Sequence, residues 1–508
     1  MRRFFYKLLI LIGLHFSVMA QEQPNILLIT LDDMNWDSVG AYGNLLSEIS
    51  PHMDGLAKEG VLFQKAYVVT SNCSPSRCAM QSGLYPHQTG VRGFYYVEPE
   101  HKTLPEILKG NNYQTGIINK APDTSLSPDL ERYWDVTLGF NGATKRSAVA
   151  YSKQMSAFLS KVKEKPFYCV VNVADPHKPF FNDAIAKKKG YDKFKPSKIY
   201  DKSSVEIPDF LPENPKIRQE ITNYYNSVKR GDDCVGAVLN IIQSSKYATN
   251  TVIILISDHG MPLPYAKSSV YENGVRVPLI VKWPNKVKTG IINTEDLVSA
   301  IDIAPSILEM ANIKVPNYLE GKSFVNHLNS GNGSLHDYIF AQFDENAGGI
   351  PRPSRTVINN RYGYIFNPWA TGEFEFKSAA SSHTSFKAMK LLANQDTEVK
   401  KRFDAWLYRS VEELYDYDKD PDALHNLIED SGYKEVVHEL RRAMLEQMKN
   451  TADYTLNAFE NKDDKAYLNK WMKKEIQGAN QRTKSIQWKR SKNINGPTKN
   501  NNQLYKTK

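Results

Sequence analysis

Cys73 opens the run Cys73-Ser74-Pro75-Ser76-Arg77, which follows a predicted strand over Val61 to Val69 and precedes Ala79-Met80-Gln81-Ser82-Gly83-Leu84. A reactive side chain at a helix N-terminus gains from the partial positive charge there, and Arg77 adds a full one. Such a setting favours an anionic ligand. Taken alone, a cysteine near an arginine is weak evidence for catalysis. A second group of residues is acidic. Asp32 and Asp33 are adjacent, and Asp258 stands in Ser257-Asp258-His259-Gly260. Adjacent like charges are costly without a cation. Three carboxylates make an oxygen-rich set that suits calcium or magnesium. The alternative for an Asp-Asp pair read alone is a solvated turn, and its pairing with Asp258 and His259 favours the metal.

The elements that must position these residues alternate between strands and helices. Asn25 to Leu31 is a continuous apolar run, as expected of a strand buried on both faces, and it ends at Asp32-Asp33. Phe167 to Val173 ends at Asp175-Pro176-His177, and Thr251 to Ile256 ends at Ser257-Asp258-His259-Gly260. Gln114 to Asn119 and Val277 to Val281 are further strands. Helices are predicted near Pro51 to Glu59, from Thr103 to Lys109, and around Met155, Phe158, Leu159 and Val162, spaced i, i+3, i+4, i+7. Ile221 to Ile242 reads as a helix interrupted at Gly231 or Gly236, and Asp296 to Ala311 as an amphipathic helix bent at Pro305. The fold class is therefore α/β: a large mixed sheet with helices on both faces. In open α/β sheets ligands bind beyond the carboxyl ends of the strands. Asp32, Asp33, His177, Asp258 and His259 fall there from three separate strands.

The texture changes after about residue 335. Asp337 to Phe343, two runs within Arg355 to Asn367 joined through Asn359-Asn360, and Glu413 to Tyr417 read as short strands, with a helix near Lys434 to Met448. The expected organisation is an export signal over 1–20, a main domain over 21–335, a smaller α+β subdomain over 336–455 and a basic, partly disordered tail over 456–508. No internal repeat is visible.

Bulk properties support an exported globular protein. The chain has 508 residues, with 41% hydrophobic and 24% charged, enough for a sizeable core and more than one domain. Arg2, Arg3 and Lys7 precede an apolar run from Leu8 to Val18, and Ala20 offers a cleavage site. That run is too short to span a bilayer, and no later stretch is long enough. The net charge of +9 is unevenly spread. Three positive charges lie in the leader and a surplus of ten lies between Lys462 and Lys508, which leaves the body at −4. The basic character belongs to the tail, and the body gives no sign of a nucleic-acid partner. Cys73, Cys78, Cys169 and Cys234 are the only cysteines. Cys169 and Cys234 lie in apolar runs and read as buried free thiols.

Cys73-Ser74-Pro75-Ser76-Arg77 followed by Ser82-Gly83 resembles the signature of the type I sulfatases, within the alkaline phosphatase superfamily. The resemblance extends to Asp32-Asp33, Asp175-Pro176-His177, Ser257-Asp258-His259-Gly260 and Tyr271-Glu272-Asn273-Gly274-Val275-Arg276-Val277-Pro278. It continues in Glu413-Leu414-Tyr415-Asp416, Asp420-Pro421 and Asn426-Leu427. Cys73 to Gly90 and Tyr224 to Ser257 look nearest to heparan N-sulfatase and its bacterial relatives. The resemblance implies an alkaline phosphatase-like fold, a calcium ion, and Cys73 converted by a maturation enzyme to formylglycine, with Cys78 left free. A hydrated aldehyde carries two hydroxyls. One attacks sulfur, and the other then expels sulfate by re-forming the aldehyde. The implied metal set is Asp32, Asp33, Asp258, His259 and the modified Cys73. His259 is a departure, since many members have Asn there. The implied catalytic set is Cys73 with Arg77, with Lys120 and Lys267 on the sulfate and His177 near the leaving oxygen. Pro122 is a second departure, because it stands where the family commonly has His. His87 is a contributor in one reading and a hydrogen-bonded loop histidine in the other.

The function so implied is a carbohydrate sulfatase, periplasmic or secreted, acting on O-sulfate esters of a polysaccharide such as ulvan or its oligosaccharides. The alternatives are a glycosaminoglycan N-sulfatase, a phosphodiesterase or phosphonate hydrolase with the same nucleophile, and a glycan-binding protein that has lost turnover.

Overall fold

β1 (Asn25–Asp32) is buried along its whole length, as are β5 (Phe167–Pro176) and β6 (Thr251–Ser257). This follows from their unbroken apolar runs, which leave no face for water. Each large aliphatic side chain so buried contributes about 1.5–3 kcal/mol. In a computed structural model describing residues 23–329 and 334–485, these strands form the centre of an eight-stranded sheet. The others are β2 (Val61–Tyr67), β3 (Gln114–Ile118), β4 (Val136–Leu138), β7 (Arg276–Lys282) and β8 (Ile291–Ser299). The order is β4-β3-β5-β1-β6-β7-β2-β8. β7 pairs antiparallel with both neighbours, and every other pairing is parallel. Two groups of helices flank the sheet. Pro51–Lys58, Ala148–Leu159 and Pro215–Gln243 pack together, as do Cys73–Ser82, Leu104–Gly110 and Ile303–Met310. The expected mixed sheet between helices is what the chain adopts. The predicted export signal over 1–20 lies outside the described residues.

Three expectations need correction. The helix Pro215–Gln243 runs unbroken through Gly231 and Gly236. A Cβ at Gly236 would lie 2.4 Å from the His52 ring, and one at Gly231 would lie 3.3 Å from Asp175 Cβ. The glycines let neighbours approach the helix rather than end it. Asp296 to Ser299 belongs to β8, and the helix begins only at Ile303, with Pro305 in its first turn where no backbone donor is needed. Leu297, Ile301, Ala304 and Leu308 recur at helical intervals, so the spacing ran across a strand–helix boundary. Lastly, within the stretch read as a basic, partly disordered tail over 456–508, Leu456–Glu460 and Lys465–Ser485 are helical, while 486–508 lie outside the described residues. Leu468, Met472 and Ala479 lie on one buried face, while Lys470, Lys473 and Lys474 stay exposed. The abundance of lysine masked a single apolar stripe.

A second, antiparallel sheet has the order β12-β11-β10-β9, from β9 (Ile339–Glu345), β10 (Pro351–Ile358), β11 (Tyr362–Phe366) and β12 (Glu412–Asp416). Its Val357, Tyr364, Phe366 and Leu414 share a core with Leu440 and Met444 of the helix Lys434–Asn450. The two sheets meet just ahead of Cys73. Gln342 N–H donates to Val69 O at 2.8 Å, and Asn72 Nδ2 donates to Glu345 O at 2.8 Å.

Candidate active site

Strand order decides which residues meet. β1 lies between β5 and β6, so Asp32 and Asp33 emerge between His177 on one side and Asp258-His259 on the other. Asp33 is left-handed (φ 71°), and its N–H donates to Asp258 Oδ1 at 3.0 Å. Asn119 and Lys120, also left-handed (φ 67° and 52°), turn the chain out of β3. Cys73 is the first residue of a helix whose side chains are all buried. Asn72 gives no side-chain cap to that helix, because its amide is committed to Glu345 and Ser268. The helix therefore keeps its partial positive charge beside Cys73. Pro75 costs nothing there, because it lies in the first turn.

All nine residues expected in the site are brought together. The ligating atoms of Asp32, Asp33, Cys73 and His177 lie within 4.8 Å of one another, and so do those of Cys73, Asp258 and His259. Lys267 Nζ is 2.6 Å from Asp33 Oδ1 and 3.3 Å from Cys73 Sγ. Lys120 Nζ pairs with Asp32 Oδ2. Arg77 reaches Asp258 Oδ2 at 2.9 Å through NH2 and at 3.1 Å through Nε, and lies 3.5 Å from Asp32 Oδ1. The guanidinium so ties the ends of β1 and β6 to the Cys73 helix.

The electrostatics follow from this packing. Burial works to raise the Asp32 carboxyl, but Lys120, His177, Arg77 and Lys267 outweigh it and hold the group well below the usual carboxylate range. Asp33 is held down in the same way against its burial, by Lys267, His177 and His259. Burial pushes the Cys73 thiol up, despite Lys267, so the unmodified residue stays protonated and is a poor nucleophile. Burial also lowers His177 and His259, which favours neutral imidazoles. Their tautomers are set by carbonyls, which can only accept. His259 Nδ1–H donates to Gly260 O at 2.9 Å and His177 Nδ1–H to Lys178 O at 2.6 Å.

These residues fit a divalent cation. Asp32 Oδ1 and Asp33 Oδ2 are buried without a hydrogen-bond partner among the described residues. Nε2 of His259 lies 3.3 Å from Cys73 Sγ and also faces Asp33 Oδ1 at 3.3 Å and Asp258 Oδ1 at 3.7 Å. A lone pair aimed at carboxylates is unfavourable unless a cation lies between them. The imidazole that departs from the common pattern therefore presents a ligand atom in the right place.

Pro122 is buried in the turn Ala121–Thr124 and supplies no proton donor. His87 is committed elsewhere: its Nδ1 is 2.6 Å from Gln342 Oε1, and it stacks on Tyr85. Sequence reasoning missed the supports. Arg77 NH1 also donates to Thr30 on β1 and Asn172 on β5. Asp175 stays in β5, where Arg146 meets it at 2.5 Å and Arg230 at 2.8 Å. Arg146 also donates to His177 O at 2.7 Å, which fixes the turn. Asn172, a polar residue inside an apolar strand, was the available signal. All four cysteines are buried, and none of them forms a disulfide.

Comparison with known proteins agrees with this geometry. A family model described as Sulfatase matches residues 24–313, more than half of the chain. A second, described as N-sulphoglucosamine sulphohydrolase, C-terminal, matches residues 258–377. The chain is 28% identical over 471 residues to N-sulphoglucosamine sulphohydrolase of Homo sapiens, covering 85% of this chain and 91% of that protein. It is 26% identical over 478 residues to an ulvan-active sulfatase of Formosa agariphila, covering 83% of this chain and 74% of that one. The solved structure of a 2-O GAG sulfatase superposes with a TM-score of 0.62 at 22% identity, covering 85% of this chain and 93% of that chain, a likeness of fold. The strand ends that gather Asp32, Asp33, Cys73 and Asp258 lie within the first matched region, and the chain belongs to the sulfatase family.

Proposed function

We propose that this sulfatase removes sulfate groups, as O-sulfate esters, from a sulfated polysaccharide such as ulvan or from its oligosaccharides. The observation that carries the proposal is the position of Lys267 Nζ, 2.6 Å from Asp33 Oδ1 and 3.3 Å from Cys73 Sγ. It is a fixed cation between the acidic cluster and the atom at which the nucleophile is made. Formylglycine, once formed from Cys73 by a maturation enzyme, supplies a geminal diol as nucleophile and a way to expel sulfate by re-forming the aldehyde. Arg77 holds the helix that carries position 73. Asp32, Asp33, Asp258 and His259, with position 73, would hold calcium, which supplies positive charge between the carboxylates.

As the structure stands, the carboxylates of Asp32, Asp33 and Asp258 are balanced by Arg77, Lys120 and Lys267. With a dication held by these carboxylates, that balance would become a surplus of positive charge. Lys120 and Lys267, which lie on Asp32 and Asp33, would then be available to the sulfate oxygens. His177 keeps Nδ1–H on Lys178 O, so Nε2 is the atom left to deliver a proton to the leaving oxygen. An arriving sulfate favours the protonated imidazole that this needs.

The export proposal rests on Arg2, Arg3 and Lys7 ahead of the apolar run to Val18. No helix among the described residues is long and apolar enough to cross a membrane. A second reading, hydrolysis of N-sulfate, is favoured by the match of residues 258–377 to the N-sulphoglucosamine sulphohydrolase C-terminal model. Sulfate release from defined O-sulfated and N-sulfated oligosaccharides, measured on protein with Cys73 fully converted, separates the two. Release from neither, with turnover of a phosphonate or phosphate ester instead, would overturn the proposal. Metal binding has its own readout. Calcium at about a hundred times its dissociation constant should stabilise the fold by about 2.7 kcal/mol. Chelation should lower the unfolding temperature of the wild type and leave Asp32→Asn with a much smaller response. An equal response in both proteins counts against this site.

A further inference from the structure

One lysine near the site has no acid of its own. Lys145 lies in the turn Gly142–Arg146, and its neighbour Arg146 anchors that turn to the end of β5 through Ala174 O, Asp175 and His177 O. The anchor holds the turn that carries Lys145 against the end of β5. Its Nζ is 5.5 Å from the centre of the Tyr191 ring, which Lys189 also approaches at 5.9 Å. Arg146 approaches the same ring at 5.6 Å, and an aromatic face at this range attracts cations. Lys120, Lys189 and Arg146 act on Lys145 by like-charge repulsion, and Asp32 attracts it, yet it forms no ion pair or hydrogen bond among the described residues. Burial, with Arg146 and Lys120 adding to it, pulls the ammonium down to about 8. Half-buried lysines normally find a carboxylate, because an uncompensated charge away from water is costly. Lys120 and Lys267 are committed to Asp32 and Asp33 and lie next to the nucleophile. Lys145 makes no contact with Cys73, so its missing counter-charge belongs to a different part of the substrate.

We propose that Lys145, seated against Tyr191, is a specificity-determining contact for a second anionic substituent of the substrate, a carboxylate or an additional sulfate on the sugar unit at the site. The inference rests on the reading of this chain as a glycan sulfatase. It deepens that reading, because it makes the preferred substrate a sugar carrying two anions rather than a singly sulfated neutral sugar.

The test uses full-length protein with Cys73 converted, as wild type, Lys145→Gln and Lys145→Arg. Substrates are a sulfated disaccharide containing a uronate, its carboxyl-reduced counterpart, a disulfated sugar with its monosulfated counterpart, and an aryl sulfate. A charge-assisted hydrogen bond of about 1.5–3 kcal/mol corresponds to roughly a ten- to hundredfold change. Lys145→Gln should raise KM about tenfold more on the substrate with the second anion than on the aryl sulfate, with Lys145→Arg largely restoring it. A penalty that disappears on carboxyl reduction assigns the contact to the carboxylate, and one that disappears on the monosulfated sugar assigns it to sulfate. An equal penalty on all substrates, or none, overturns the inference. Calorimetric binding of an unsulfated oligouronate and of free sulfated sugar reads Lys145 without turnover. If the converted enzyme hydrolyses no sulfate ester, the functional reading fails. Equal affinity of wild type and Lys145→Gln for both of these ligands is the separate result that defeats the Lys145 proposal.

Discussion

Cys73→Ala abolishes sulfate release, with a loss of about 10³-fold or more, while leaving the fold intact. The size follows from what is removed. On the proposed reading Lys120, Lys267 and His177 remain to bind sulfate, but no atom is left to attack it. Folding survives because the thiol makes just two polar contacts among the described residues, with His259 Nε2 and Lys267 Nζ, each at 3.3 Å. The informative comparison is with wild-type protein made without a maturation enzyme. Burial keeps that thiol protonated, so unconverted protein should match Cys73→Ala in inactivity and differ from it only in mass. Cys73→Ser should be equally inactive, because one hydroxyl on a saturated carbon cannot release sulfate by re-forming an aldehyde. Mass spectrometry of the peptide containing residue 73, read alongside sulfate release, decides the matter. Activity that does not follow the converted fraction would mean that Cys73 is not the precursor of the nucleophile.

The candidate site residues could be picked out of the sequence because their chemistry coincides with a positional rule. Asp32, Asp33, His177, Asp258 and His259 each follow a run too apolar to be anything but a buried strand. Their supports were not legible, because they depend on strand order. Arg77 meets Thr30 and Asn172 only because β5 and β1 are neighbours, and periodicity carries no information on which strands pair. The same limit hid Arg146 and Arg230, whose shared partner Asp175 looked like part of a catalytic turn and instead anchors it. Local rules failed where tertiary packing outweighed them. Gly231 and Gly236 looked like helix breakers, but they are the places where Asp175 and His52 press against the helix. The apolar stripe of Lys465–Ser485 is read correctly only once a surface exists for Leu468 and Met472 to bury against. His259, which the family pattern made doubtful as a ligand, became intelligible once Gly260 O fixed its tautomer.

Arg77→Met destabilises the protein by about 3–5 kcal/mol and removes activity with it. The guanidinium is 1% exposed and is shared by Asp258, Asp32, Thr30, Asn172 and Leu31 O. Methionine fills much of the volume but leaves the buried Asp258 without its paired cation and Asp32 with Lys120 alone, which is the expensive way to break such a cluster. The loss also has a predictable pH dependence. Asp32 and Asp33 have folded-state values below the ordinary carboxylate range. Groups depressed in this way contribute stability that is present above the unfolded value, about 4, and is lost as pH falls through the folded value. Arg77 supports the depression of Asp32, so the gap between wild type and Arg77→Met should be widest near neutral pH and narrow in acid, as the carboxylates protonate in both proteins. Calcium acts in the opposite sense, because it supplies charge that Arg77 no longer provides. It should stabilise Arg77→Met at least as much as it stabilises wild type, without restoring turnover, since the Cys73 helix stays untethered. Urea unfolding at neutral and acidic pH, with and without calcium, measures all three effects. A gap that stays constant with pH would show that Arg77 acts through packing alone.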